Sequence, residues 1–141
     1  MKRNAAAVWQ GSIKQGSGTI SAESGVFEDV PYSFDNRFQQ RQGTSPEELL
    51  AAGHASCYSM ALSLVLGESG LTPDRVDTTA TVTVEPDDDS FAITGVHLDV
   101  HARVPDTDAD AFDQAAHAAK DGCPVSKLFN APITLATHFV D

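Results

Sequence analysis

The sequence is poor in cysteine, with only Cys57 and Cys123. Two cysteines are too few for a disulfide framework, and in a reducing compartment a permanent structural disulfide is disfavoured. Neither cysteine forms a CxxC pair, which argues against thioredoxin-type chemistry and against a compact zinc site. The two thiols are therefore either inert and buried, or they react together.

Basic residues are also scarce, since 9 Lys and Arg stand against 20 Asp and Glu and give a net charge of −11. Binding to nucleic acid or to an anionic membrane depends on Lys and Arg, so we expect neither partner. The acidic groups are interpreted as solvated surface. The DTDAD stretch at 106–110 lacks the glycine and the distant glutamate of a calcium loop, and no metal is predicted there.

Long apolar runs and a leader are not expected either. No run approaches the roughly 18 residues needed to cross a bilayer. The basic start is followed by an apolar stretch that breaks at Gln10 and Gly11, too soon for a signal peptide. We therefore expect a cytoplasmic protein, and the 141 residues suit one domain over 1–141.

The clearest local pattern is the helix start SPEE at 45–48. Ser45 is a capping residue, proline takes the first helical position, and Glu48 completes a capping box. The helix is predicted to run to about Leu66, with Gly67 as its left-handed stop. Residues 49–66 carry no charge, so this helix is expected to be central and buried on most sides.

The rest of the chain predicts an α+β fold with antiparallel sheets covering that helix. Short strands are expected in the glycine-rich N-terminal third. The later elements are predicted as strands at 76–85 and 90–104, helices at 109–120 and 124–129, and a closing strand ITLATHFV. Core residues expected on the second of these strands are Ile93, Val96, Leu98 and Val100.

Local electrostatics favours Cys123 as the more acidic thiol. It precedes Pro124 at a predicted helix N-terminus, where free backbone N–H groups stabilise a thiolate. Cys57 has no activating group on its own helix and needs a cation from elsewhere, for which Arg37 and Arg41 are the nearest candidates. The alternatives are a small apolar packing residue for Cys57, a turn residue without a role for Cys123, and solvated surface arginines.

Two histidine patterns leave alternatives open. His97, Asp99 and His101 share one face of a strand, which could bind a metal but is better interpreted as a polar strand face. His54 lies one turn before Cys57 and could act as a base, although a structural role is favoured.

The stretch NRFQQRQGTSPEELLAAGHASCYSMALSLVLGESG, with the later DGCPVSKLFNAPI, resembles the OsmC/Ohr family of thiol-dependent peroxidases over essentially the whole chain. The resemblance implies an OsmC-like fold in an intertwined homodimer. It also implies that Cys57 attacks the peroxide, Cys123 resolves the product, Arg37 holds the thiolate and Glu47 orients that arginine. The first nucleophile is then Cys57, against the local preference.

The chemistry implied by the resemblance is the reduction of organic hydroperoxides, and more slowly of hydrogen peroxide, in stress defence. Cys57 passes through a sulfenic acid and a disulfide with Cys123, which a dithiol such as a lipoyl group reduces. No metal, haem or flavin is implied. Phe38, Met60 and Phe129 are candidate pocket walls, with plain core packing as the alternative.

Helix geometry adds an argument for a dimer. Glu47 and Cys57 are ten residues apart on one helix, about 15 Å along its axis. Two copies of the helix packed antiparallel, crossing near the small residues 51–53, would place Glu47 of one chain beside Cys57 of the other. Two rival functions remain, a module that binds a small apolar ligand without catalysis and a redox sensor that uses the same disulfide.

Overall fold

The computed structural model describes residues 1–38 and 42–141, and these form two compact units, Met1–Leu49 and Leu50–Asp141. Arg41, one of the two candidate arginines, lies outside the described residues. The prediction of one domain over 1–141 stays a prediction.

The first unit contains a three-stranded antiparallel sheet whose strands are β1 (Ala5–Gln10), β2 (Ser17–Ala22) and β3 (Val30–Tyr32). Gly18 of β2 pairs with Trp9 on one side and with Tyr32 on the other. A Cβ on Gly18 would lie 2.6 Å from the Tyr32 ring, whose centroid is 5.5 Å from that of Trp9. A glycine is therefore needed where these two rings fold over the sheet.

Helix α1 (Pro46–Glu68) starts where the capping pattern predicted. The Ser45 hydroxyl accepts a hydrogen bond from the Glu48 N–H at 3.1 Å. The predicted stop is wrong, because Gly67 lies inside the helix and Gly70, with φ of 76°, takes the left-handed position. The Leu71 N–H donates to the Leu66 carbonyl at 3.0 Å and closes the helix end.

The second unit contains β4 (Arg75–Asp87), β5 (Ser90–Arg103), α2 (Ala109–Gly122), α3 (Pro124–Leu128) and β6 (Ile133–Val140). These bounds and the α+β class confirm the predictions to within two residues at each end. The expectation of purely antiparallel sheets is corrected, because β6 pairs parallel to β5. The two helices between them form the crossover that a parallel pair requires.

The core of the second unit forms between β5, α2 and one stripe of α1. Val96, Leu98 and Val100 are buried as predicted, whereas Ile93 is half-buried beside a register shift in the β4–β5 pair. The Tyr58 hydroxyl donates to the Ala116 carbonyl at 3.0 Å. Burial raises the pKa of Tyr58, so it stays a neutral donor there.

Helix α1 buries only the residues spaced four apart that face this core, namely His54, Tyr58, Leu62 and Leu66. Met60 and Leu64 on its other faces are 73% and 67% exposed. The expectation of a helix buried on most sides is therefore not met within one chain. The expectation that no apolar stretch is long enough to cross a bilayer is also wrong, because α1 has the required length and mean hydropathy. The four buried residues of α1 nevertheless pack against the core of the second unit.

Candidate functional site

The fold of the second unit brings the two cysteines together. Cys57 lies half-buried on α1, and Cys123 lies fully buried at the residue that precedes α3. Both are free thiols, and the Cys123 side chain is close enough to Cys57 to raise the pKa of the Cys57 thiol. A sulfenic acid formed on either sulfur would have the other as its nearest reaction partner.

The environment of Cys57 acts on its thiolate in opposite directions. Burial raises the pKa of the Cys57 thiol, the Val125 backbone N–H lowers it by donating a hydrogen bond, and the neighbouring Cys123 thiol raises it again. The effects that raise the pKa of Cys57 outweigh the one that lowers it, so the thiol is mostly protonated unless a cation is supplied.

From the sequence, the free N–H groups at the start of α3 are expected to stabilise the Cys123 thiolate. The structure corrects this, because the Val125 N–H in that first turn donates to Cys57. The Cys123 side chain makes no capping hydrogen bond among the described residues. The N-terminal turn of α3 therefore stabilises the thiolate of Cys57 and not that of Cys123.

A second contact joins α1 to α3 beside the thiols. His54 Nε2 and Ser126 Oγ share a buried hydrogen bond of 2.8 Å. Burial lowers the pKa of His54, so the ring is neutral, and its Nδ1 is buried without a partner among the described residues. His54 is therefore better suited to fix the position of α3 than to take a proton from Cys57.

The candidate pocket walls are only partly supported. The Phe129 ring packs on His54 with centroids 5.3 Å apart, next to the thiol pair. Met60 faces outward from α1, and Phe38 in the first unit is half exposed. Of the three, Phe129 is the one that the second unit places near Cys57.

In the first unit the structure brings Arg37 and Glu47 together, with Arg37 Nε 3.3 Å from Glu47 Oε1. The two side chains are 29% and 14% exposed. Glu47 Oε2 is buried and has no hydrogen-bond partner within residues 1–38 and 42–141. A carboxylate held in this way fixes the position of the guanidinium.

The loop that carries Arg37 is a single turn of 3₁₀ helix, Asp35–Arg37, tied to the start of α1 by the side chain of Asn36. Asn36 Oδ1 accepts from Ser33 Oγ at 2.8 Å, and its Nδ2 donates to the Thr44 carbonyl at 3.4 Å. Gly43 has φ of 127°, and a Cβ there would lie 2.5 Å from the Asn36 amide. Only a glycine at position 43 therefore leaves room for the Asn36 side chain that holds the arginine loop in place.

A cavity of about 250 Å³ opens beside this arginine, lined by Trp9, Ile13, Tyr32, Ser33, Phe34, Arg37 and Pro46. Its walls are mostly aromatic and aliphatic, with one cation. Sequence reasoning missed these wall residues because they meet through cross-strand pairing. The available signal was Gly18 on β2, between the strands of Trp9 and Tyr32, since a glycine there leaves room for a ring.

The structure groups the histidines of β5 differently from the sequence expectation, which placed His97, Asp99 and His101 together. The His97 ring shares a 2.7 Å hydrogen bond with Thr134 and stays apart from Asp99 and His101. His138 of β6 joins them instead.

Comparison with known proteins identifies relatives over most of the chain. A family model described as OsmC-like protein matches residues 39–138. The Peroxiredoxin OsmC of Escherichia coli (strain K12) is 53% identical over 127 residues, which covers 90% of this chain and 89% of that protein. The organic hydroperoxide resistance protein OhrB of Bacillus subtilis (strain 168) is 33% identical over 113 residues, with 79% and 80% covered.

Solved structures agree on the fold. The crystal structure of OhrB of Bacillus subtilis matches with a TM-score of 0.68 at 24% identity, covering 97% of this chain and 98% of that one. The OsmC-like protein of Mycoplasma pneumoniae matches with a TM-score of 0.76 at 16% identity, covering 100% and 99%. At these identities the likeness concerns the fold alone.

The buried His54 predicts how stability depends on pH. Because its pKa is lowered from 6.5 in the folded chain, only the unfolded chain binds a proton there as the pH falls below that value. The free energy of unfolding therefore falls as the pH is lowered, and it should fall less in His54→Gln than in wild type between about pH 7 and pH 5. Urea denaturation at several pH values in this range measures the slope of the free energy of unfolding against pH. His97→Gln, at an exposed histidine, is the control, and an unchanged slope in His54→Gln would contradict the assignment.

Proposed function

Because this chain belongs to the OsmC-like protein family, we propose that it is a thiol-dependent peroxidase that reduces organic hydroperoxides to alcohols in oxidative and osmotic stress defence. The observation that carries the proposal is the proximity of the Cys57 and Cys123 thiols, since Cys123 is close enough to raise the pKa of Cys57. Two neighbouring thiols are what a peroxidase needs to oxidise and then resolve within one chain.

The reaction begins at Cys57. Its thiolate sulfur attacks the terminal oxygen of the hydroperoxide, the O–O bond breaks, and the alkoxide leaves and takes up a proton to become the alcohol. Cys57 is now a sulfenic acid. The Cys123 sulfur attacks the Cys57 sulfur, a disulfide forms, and the oxygen leaves as water. A dithiol donor then reduces the disulfide by two exchange steps and is itself oxidised to a disulfide.

Arg37 supplies the cation that Cys57 requires. Since burial and Cys123 both raise the pKa of Cys57, a guanidinium beside the sulfur shifts the balance back to the thiolate. The contact between Arg37 and Glu47 supports this role, because it fixes the position of the guanidinium. Arg37 and Glu47 thus act with the two cysteines as site residues.

The apolar walls of the cavity beside Arg37 indicate the class of peroxide that the protein reduces. The cavity beside Arg37 has aromatic and aliphatic walls, which favour a hydroperoxide with a hydrocarbon body over hydrogen peroxide. A dithiol, with lipoyl groups as the candidate class, is the electron donor, and the cytoplasm is the compartment that keeps the thiols reduced. A binding module is not favoured, because it has no need of the full set of Cys57, Cys123, Arg37 and Glu47. A redox sensor is not favoured, because the named relatives are a peroxiredoxin and an organic hydroperoxide resistance protein.

The working form is a two-fold homodimer whose sites draw on both chains. The outward faces of α1 carry the exposed apolar residues Met60 and Leu64, together with small residues around Gly53 that permit close helix packing. An antiparallel crossing there covers this surface. It also puts Glu47 and Arg37 of one chain near Cys57 of the other.

Removal of each thiol should have a different effect on turnover with cumene hydroperoxide and a dithiol donor. Cys57→Ser should fall to the uncatalysed background. Cys123→Ser should consume one equivalent of peroxide and stop, with a sulfenic acid on Cys57 that dimedone traps and mass spectrometry detects. Ser63→Ala, at an exposed position of α1, is the matched control. Rapid turnover in Cys57→Ser would exclude it as the peroxide-attacking group.

The charge of Arg37 should set the pH dependence of peroxide reduction. Arg37→Ala removes the cation, so the pKa of Cys57 rises further and the rate profile moves to higher pH. For every whole pH unit by which this pKa rises, the thiolate fraction near pH 7 falls about tenfold. Arg37→Lys should recover part of the rate, and Arg3→Ala, which breaks an exposed ion pair with Glu23, should leave the profile unchanged. A profile unmoved in Arg37→Ala would show that another group activates Cys57.

Mixing a variant that lacks the thiol with a variant that lacks the arginine tests, near pH 7, whether the sites are shared between chains. A hybrid of Cys57→Ser and Arg37→Ala chains contains one intact site only if Arg37 of one chain serves Cys57 of the other. Random reassociation of equal amounts should then restore about a quarter of the wild-type activity. Activity that stays at the level of the separate variants, with hybrids confirmed by native mass spectrometry, would mean that each chain builds its own site.

A further inference from the structure

The parallel pairing of β5 and β6 gathers three metal-ligating side chains on one face of the sheet. His101 of β5 is the register partner of His138 of β6, and Asp99 lies two residues before His101. Because side chains two apart on a strand share a face, all three project from the same side.

The three side chains converge on one point. Asp99 Oδ1 lies 3.1 Å from His138 Nε2 and 3.5 Å from His101 Nε2. One ligand atom from each residue falls within 4.8 Å of the others. Two imidazole nitrogens thus face a single carboxylate oxygen.

The convergence is not explained by hydrogen bonding within the cluster. Asp99 Oδ1 is itself buried, and no hydrogen bond reaches it from any residue the structure describes. A cation placed between this oxygen and the two ring nitrogens would be within reach of a ligand atom from all three residues. The unsatisfied oxygen therefore points to a positively charged ligand.

The surrounding charges leave room for such a ligand. The two arginines nearby already have partners, since both oxygens of Asp77 accept from Arg75 at 2.6 Å and Arg103 lies 3.6 Å from Asp74. A surface cavity of about 420 Å³ runs past His101 and His138 and provides access. The net charge of −11 also favours cations near the protein.

We propose that Asp99, His101 and His138 bind one zinc ion, which clips β6 to β5. Imidazole with one carboxylate suits zinc and its neighbours in the first transition row, whereas calcium and magnesium prefer oxygen ligands alone. Zinc accepts three protein ligands and a water at about 2.0–2.2 Å. The rings are now stacked with centroids 4.1 Å apart, so they must swing open to bind, and their exposure at about half of each side chain permits this.

Calorimetric titration of the reduced full-length protein with Zn²⁺ tests the proposal. Wild type should bind one equivalent per chain with a rise in Tm. His138→Gln and Asp99→Asn should weaken binding by at least about tenfold, because even outer-shell changes cost about 10–100-fold. His97→Gln is the matched control, since His97 lies on the same face of β5 but bonds Thr134, and it should bind zinc like wild type. Equal binding in wild type and His138→Gln would overturn the proposal.

Two spectroscopic measurements on wild type need no variant and separate this site from the thiols. Long-range ¹H–¹⁵N spectra should show the ring nitrogens of His101 and His138 shifting with zinc, while those of His54 and His97 stay in place. Cobalt in place of zinc should give only weak visible bands. An intense near-ultraviolet charge-transfer band would show that Cys57 or Cys123 holds the metal, and that result, like an absence of saturable binding, would refute the site.

Discussion

The buried hydrogen bond between His54 and Ser126 holds the candidate site of the second unit in place. It joins residues 72 positions apart in the chain and fixes α3 against α1. Cys57 follows His54 by one helical turn and Ser126 follows Cys123 by one turn, so the same contact sets the two sulfurs opposite each other. A buried donor or acceptor left unpaired costs about 1–3 kcal/mol, which makes alternative placements of α3 unfavourable. The spacing of the reactive groups thus rests on a pair that takes no part in the reaction.

That placement creates an electrostatic problem. The apolar surroundings of Cys57 suit a hydrocarbon substrate. Burial in those surroundings also raises the pKa of Cys57 and disfavours its thiolate. The Val125 N–H offsets only part of this cost. On the proposed function, the remaining charge compensation comes from a cation, and the proposed group is the guanidinium of Arg37.

Features set by neighbouring residues were predictable from the sequence. The Ser45 cap, the strand and helix bounds after residue 70 and most of the β5 core follow from local pattern. The helix stop was misplaced because a glycine within a helix and a glycine after it look alike in sequence, and only backbone geometry separates Gly67 from Gly70. Cys57 and Cys123 were assigned by resemblance, while local reasoning gave the N–H groups of α3 to the wrong thiol. The cavity walls and the partner of Asp99 depend on strand pairing, which sequence pattern does not reveal.

Strand β5 shows how one constraint produces two results. Its inward residues Leu98, Val100 and Ala102 are buried in the core, so the strand cannot slip by one residue without exposing them. The hydrophobic effect therefore fixes the register of β5 against β6. With that register fixed, the outward-facing His101 is paired with His138, and Asp99 lies two residues before His101 on the same face. The cluster of ligand atoms is thus a consequence of core packing on the opposite face, which fixes the backbone positions of the three residues while the half-exposed histidine rings can still turn.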